Sequence, residues 1–177
     1  MNQSVVEMPK AAEYERALAC ELDGARAGEP DGVTAREIIG KAVDRYNDLY
    51  AERKRYDNRA LRQHLEEGIL PSVALYQTLL DNADTQQRSL DLVEAALTEG
   101  AASGRQSMER LGRLPFYYWL MRIVIKPLMR LNFPAEGWET EWVEVSGSEI
   151  SFNMTRCFYL DVVQAYGVPE LTPLYCN

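Results

Sequence analysis

GWETEWVEVSGSEISFNMTRC, residues 137–157, decides the fold class. Before Gly137 the apolar residues recur at three- and four-residue spacing. From Trp138 onward the spacing is two. Trp138, Thr140, Trp142 and Glu144 fall on one face; Glu139, Glu141, Val143 and Val145 fall on the other. Ser146-Gly147-Ser148 makes a turn. Ile150, Phe152 and Met154 then alternate with Ser151, Asn153 and Thr155. The pattern predicts an antiparallel hairpin, 138–146 with 149–156. Helical patterns come first and strands later, so the class is α+β, with several N-terminal helices packed on a small antiparallel sheet near the C-terminus.

Upstream, Thr34-Ala35-Arg36-Glu37 reads as a capping box. Ile38, Ile39, Ala42, Val43, Tyr46, Leu49 and Tyr50 follow at helical spacing. That pattern runs on, less cleanly, to Leu65, where Gly68 and Pro71 are expected to end it. Ser72 opens a short helix over 73–80. Asp84 caps another, with Leu90, Val93 and Leu97 inward and Gly100 as its stop. Residues 101–107 read as a link. Residues 108–131 are helical again, divided at Pro115 and kinked or stopped at Pro127. Ahead of the capping box, 11–25 suits a short helix that the Gly/Pro cluster at 28–32 breaks. After the hairpin, 157–166 suits a buried helix stopped by Gly167, and 171–176 reads as the start of a further strand. One domain over 33–177 with a partly ordered segment at 1–32 is expected.

The 177 residues are 46% apolar and 26% charged, which is ordinary for a globular protein. A net charge of −8 repels phosphate backbones, so nucleic acid is not an expected partner. The most apolar stretch, 116–129, contains Arg122, Lys126 and Pro127 and is too short to span a bilayer, so no membrane partner is expected. Residues 1–10 carry Glu7 and no long apolar core, unlike a secretory signal. Cys20, Cys157 and Cys176 form no C-x-x-C pair, and His64 is the one histidine, so the spacing offers no metal site. Three unpaired thiols suit a reducing, cytoplasmic setting.

Four segments taken in order carry a resemblance: LPSVALYQTLL at 70–80, Asn132-Phe133-Pro134 with Gly137-Trp138, FNMTRC at 152–157, and Gly167-Val168-Pro169-Glu170-Leu171 leading to Cys176. Together they resemble the L-2-amino-thiazoline-4-carboxylic acid hydrolase family, over about residues 36–177. The resemblance implies a ring-opening hydrolase that needs no cofactor. Water adds to the ring C=N carbon between sulfur and nitrogen, and collapse gives a carbamoyl derivative of cysteine. The substrate is then a small molecule with a carboxylate. The family pattern continues past the second cysteine with a nearby acidic residue and another cysteine, whereas this sequence stops at Asn177. Three explanations stay open: the remainder sits on a second chain, it was removed, or the member is short. A homo-oligomer or completion by a second chain is therefore an expectation, as is an open sheet edge left by a shortened terminal strand.

Such a reaction needs a base or nucleophile, an acid and a carboxylate clamp. Cys157 stands first: it falls between strand and helix, beside Arg156, where helix end and cation both favour a thiolate. Its plainer reading is a small buried apolar residue. Cys176 is the second candidate, with a strand-core cysteine as its alternative. His64 titrates near neutrality, but its polar surroundings suit a solvated surface residue. Arg156 is the carboxylate clamp candidate by its place in the family pattern, and Asn153 is a further substrate contact. Tyr76, Trp138 and Trp142 are candidate linings of an apolar substrate pocket, with core as the default. Glu170 is a substrate-site base or a helix-to-strand cap. Asp161 follows Cys157 by one turn. Arg122, Lys126 and Arg130 form one helical stripe, which is a carboxylate site or simply a wet face. Two other classes compete with the enzyme. One is a ligand-binding or accessory subunit with reduced chemistry. The other is an interaction protein docking through the aromatic segment 116–120, which requires a contiguous exposed apolar patch.

Overall fold

The computed structural model describes residues 6–25, 33–82, 85–146 and 149–176. The 28–32 cluster, Asp84 and the turn residues 147–148 lie outside them. Helix α1 (Ala11–Ala25) matches the predicted short helix. Helix α2 (Ala35–Glu52) opens on the capping box: the Glu37 N–H donates to Thr34 Oγ1 at 3.3 Å, and the Thr34 N–H donates to the Glu37 carboxylate at 2.8 Å.

α2 ends at Glu52, well before Leu65. Arg53 leaves the helix with ψ 148°, and its guanidinium lies 3.4 Å over the Tyr50 ring while Nε pairs with Glu66 at 2.7 Å. A largely covered ion pair and a cation–π contact thus replace the next helical turn. Helix α3 (Arg59–Gln63) restarts at Asn58, whose Oδ1 accepts from the Ala60 N–H at 2.9 Å.

Gly68 and Pro71 do not stop the chain. α3 runs into a π-helical turn, His64–Ile69, and on into helix α4 (Leu70–Asp81). The Leu70 N–H donates five residues back, to the Leu65 carbonyl. Pro71 has no N–H for the next carbonyl in that ladder, Glu66. The Tyr46 hydroxyl donates to it instead, at 3.2 Å. The wider π turn and this outside donor together accommodate a proline within a continuous helix. α4 is buried from Leu70 through Tyr76 and again at Thr78 and Leu79. It forms the centre of the core, between α2 and the next helix.

That helix, α5 (Gln86–Gly112), is capped by Thr85, whose Oγ1 accepts from the Arg88 N–H at 3.2 Å; the N-cap is therefore one residue later than expected. Gly100 is not a stop and 101–107 is not a link. A Cβ at Gly100 would lie 3.0 Å from Lys10 Cδ and 3.2 Å from Tyr14 Cε1, so this glycine lets the start of α1 approach α5 closely. α6 (Tyr117–Asn132) follows the turn that contains Pro115, and it continues through Pro127.

Strands β1 (Glu139–Val145) and β2 (Ile150–Arg156) form the predicted antiparallel hairpin, with Thr140 opposite Met154 and Trp142 opposite Phe152. Helix α7 (Phe158–Ala165) follows and ends at Gly167, φ +72°. The expected strand at 171–176 is instead a 3₁₀ turn, Pro169–Leu171, and a short helix, α8 (Pro173–Cys176). Each piece begins on a proline, whose fixed φ suits a first helical turn. No shortened strand, and so no open edge from one, exists there. The class is α+β: helices, mostly N-terminal, with a two-stranded antiparallel sheet near the C-terminus.

Candidate functional site

The break at Arg53 and the continuous α3–α4 rod carry the chain so that the hairpin returns across α3. At Gly137 a Cβ would meet Leu61 Cδ2 at 2.5 Å and Phe158 Cβ at 3.1 Å. The absent side chain allows this close approach, and Trp138, 1% exposed, sits in the core. Trp138 then packs edge-on or tilted against His64, Phe133, Phe158 and Tyr159, with ring centroids 4.9–5.6 Å apart. Its Nε1–H is buried with no acceptor among the described residues.

Beside this aromatic cluster lies a cavity of about 590 Å³. Its wall includes Cys157, Cys176, Tyr159, Tyr175, Phe152 and Met154. Cys157 is the N-cap residue of α7 and half-buried; Cys176 is the last residue of α8 and exposed. Both are free thiols, and both line this cavity. Partial burial, and then the neighbouring Cys157 sulfur, raise the Cys176 thiol above its ordinary range. Tyr175 is held in place from two sides: its hydroxyl bonds the buried Ser72 of α4, and its ring stacks on Tyr159, 4.9 Å between centroids and 12° between planes. That anchor delivers Cys176 to Cys157.

Tyr159 connects the cavity to His64. Its hydroxyl is 2.8 Å from His64 Nδ1, and His64 Nε2 is 2.8 Å from the Asn132 carbonyl oxygen. A carbonyl can only accept, so Nε2 carries the hydrogen, and in the tautomer this sets Nδ1 accepts from Tyr159. Burial, and then the two thiols, push the Tyr159 phenol up to about 12. His64 is therefore not the solvated surface residue expected. It opens the π turn and is stacked at 5.4 Å on Phe133.

The sequence profile of the L-2-amino-thiazoline-4-carboxylic acid hydrolase family matches residues 62–177. The chain belongs to this family. No curated protein and no solved structure matches it. The hydrolase-family match takes in both cavity thiols, the π turn with His64, and the hairpin.

Of the residues predicted for a hydrolase-family site, Cys157, Cys176 and Trp138 meet at the cavity, and His64 stands one side chain behind it. The others lie elsewhere. Arg156 pairs with Asp161 at 3.2 Å and borders a smaller cavity of about 290 Å³ on the other side of α7's first turn. Asn153 is exposed on the hairpin; Phe152 and Met154, its neighbours on the cavity face, point the other way. Tyr76 is fully buried and donates to Glu170 Oε1 at 2.7 Å, tying α4 to the 3₁₀ turn; burial first and the Glu170 carboxylate next raise its phenol. Tyr159 and Tyr175 escaped the sequence reading. Their signal was adjacency: one is two residues from Cys157, the other precedes Cys176. Among the described residues, no helix is long and apolar enough to cross a membrane, and no group of three or more His, Cys, Asp or Glu side chains gathers to hold a metal.

Proposed function

We propose that this chain opens a small heterocyclic C=N ring, of the thiazoline type, in an amino acid derivative bearing a carboxylate. The observation that carries this is the meeting of Cys157 and Cys176 at one aromatic-walled cavity, backed by the Tyr159–His64 relay. In this reading the Cys157 sulfur adds to the ring carbon between sulfur and nitrogen. Cys176, the thiol held in its protonated form, lines the same cavity and supplies a proton to the departing ring heteroatom. Water then displaces the enzyme sulfur, and the carbamoyl product leaves with one water added overall. Tyr159 stays neutral through any ordinary assay range, its one hydrogen held by His64 and its oxygen left to accept in the cavity, and His64 acts through it as a positioning residue.

The test is turnover of L-2-amino-thiazoline-4-carboxylate by the whole chain beside Cys157→Ser and Cys176→Ser. The expected result is ring opening by the parent and a loss of about 100-fold or more in Cys157→Ser, the scale at which a reacting group contributes. Full activity in Cys157→Ser rejects the thiol mechanism. One observation favours a second reading, a ligand-binding relative with reduced chemistry: no cation or carboxylate lines the cavity among the described residues. Calorimetric binding of the same compound without turnover is the result that reading expects.

A further inference from the structure

Thirteen large apolar side chains are exposed among the described residues, and all thirteen lie between residues 108 and 154. They occupy the end of α5, the whole of α6 and the hairpin. Trp119 is 61% exposed, Val143 64% and Leu131 75%. α6 has no buried residue at all. A helix of this length is marginal in water without tertiary packing, and a lone two-stranded hairpin is no better. The arm therefore has the composition of a packed element and the exposure of an unpacked one.

Its charges are sorted as well. Arg110, Arg113, Arg122, Lys126 and Arg130 follow one another with no acid between Glu109 and Glu136. Then Glu136, Glu139, Glu141, Glu144 and Glu149 follow with no cation before Arg156. Among the described residues no ion pair joins the two sets. Within the chain, the Lys126 ammonium sits 5.3 Å over the Trp142 ring, so the basic helix and the acidic hairpin lie side by side.

We infer that this arm is a self-association surface: a second copy of this chain packs on it about a two-fold axis, each α6 against the other copy's hairpin. Three observations favour a copy over other occupants. At on the order of 100 Å² for each of the thirteen exposed side chains, the arm exposes roughly 1,300 Å² per copy, more than the about 800 Å² per partner of a standard interface. A two-fold axis sets the basic set of each chain against the acidic set of the other, which a self-complementary contact requires. The acidic hairpin beside the patch repels an anionic bilayer, which disfavours a lipid surface. Association also bears on the cavity, because Met129 of α6 and Phe152 and Met154 of β2 belong to its wall. A copy seated on the arm covers that wall from outside. The inference holds whether or not the ring-opening reading does.

The experiment is sedimentation equilibrium of the full chain, 20.2 kDa as a monomer. At about 50 μM, a dissociation constant in the low micromolar range gives mostly dimer. Trp119→Glu is expected to be monomeric with an unchanged far-ultraviolet spectrum, since it alters no buried residue. A helix-swapped chain (Arg122→Glu with Arg130→Glu) and a hairpin-swapped chain (Glu141→Lys with Glu144→Lys) are each expected to dissociate at least about tenfold more readily, and to form a heterodimer when mixed. A parent that stays monomeric overturns the proposal. So does a Trp119→Glu chain that remains a dimer, or a mixture of swapped chains that does not pair. A monomeric parent that co-sediments with phosphatidylserine vesicles overturns it in favour of a membrane-binding arm.

Discussion

At the scale of single residues, Gly137 does the most with the least. Its missing Cβ lets the chain just ahead of the hairpin close on Leu61 of α3 and Phe158 of α7, and so places Trp138 over His64. In Gly137→Ala the end of the Leu61 side chain can move away, but Phe158 Cβ belongs to the helix and cannot. The expected cost is about 1–3 kcal/mol, the usual penalty for overpacking, read as a lower urea midpoint with Trp fluorescence as the probe. An unchanged midpoint would show that the approach has slack. The same residue-scale view separates the two cysteines. Cys157 takes its place from the strand–helix junction, a local feature. Cys176 reaches it only because Tyr175 is bonded to Ser72, about a hundred residues away.

At the scale of elements, the α3–α4 rod is the least expected part of the molecule. Gly68 and Pro71 are breakers by any local rule, yet the helix runs through both because the π turn and the Tyr46 hydroxyl absorb the missing donor. Tyr46→Phe removes the outside donor from the Glu66 carbonyl and is expected to cost about 1–3 kcal/mol, the scale for an orphaned buried acceptor. In a Pro71→Ala background residue 71 regains an N–H for that carbonyl. The cost of Tyr46→Phe should then fall, giving a coupling of about 0.5 kcal/mol or more in a double-mutant cycle from thermal or urea melts. Additive effects would separate the tyrosine from the proline. The hairpin and α7 were legible for the opposite reason: period-two alternation and a glycine at positive φ are local signals, although the pairing shifts register between Glu139 and Thr140 and again between Trp142 and Glu144.

At the scale of the whole molecule, the buried tyrosines set an alkaline limit. Burial pushes the Tyr46 and Tyr159 phenols up to about 12 and raises those of Tyr14, Tyr76 and Tyr175 as well. In the unfolded chain each ionises near pH 10. Below about pH 10 both states hold the proton and the contribution is full. Above it the unfolded state releases protons that the folded state keeps, so stability falls as pH rises toward the folded values. The melting temperature should therefore drop steeply above about pH 10, and the share of tyrosinate absorbance that belongs to these five should appear with unfolding rather than before it. Absorbance that reaches the full amplitude of all ten tyrosines near pH 10 while the fold persists would place these hydroxyls in water.

The sequence by itself determined the fold class, the antiparallel hairpin, the α2 capping box and the family. These are properties of nearest neighbours along the chain: alternation, caps, turns and ordered motifs. Only the tertiary structure decided that 59–81 is one helical rod, that 171–176 is helical, that Tyr159 and His64 form a relay, and that Arg156 faces Asp161 rather than the thiols. The rod, the placing of α8 and the relay depend on partners far away in sequence. A tyrosine hydroxyl from α2 or a serine on α4 changes the free energy of a local conformation by a hydrogen bond, and no local pattern encodes which distant group will arrive to make it. Arg156 and Asp161 are only five residues apart, but the cavity they leave to the thiols is closed by residues from α6 and the hairpin.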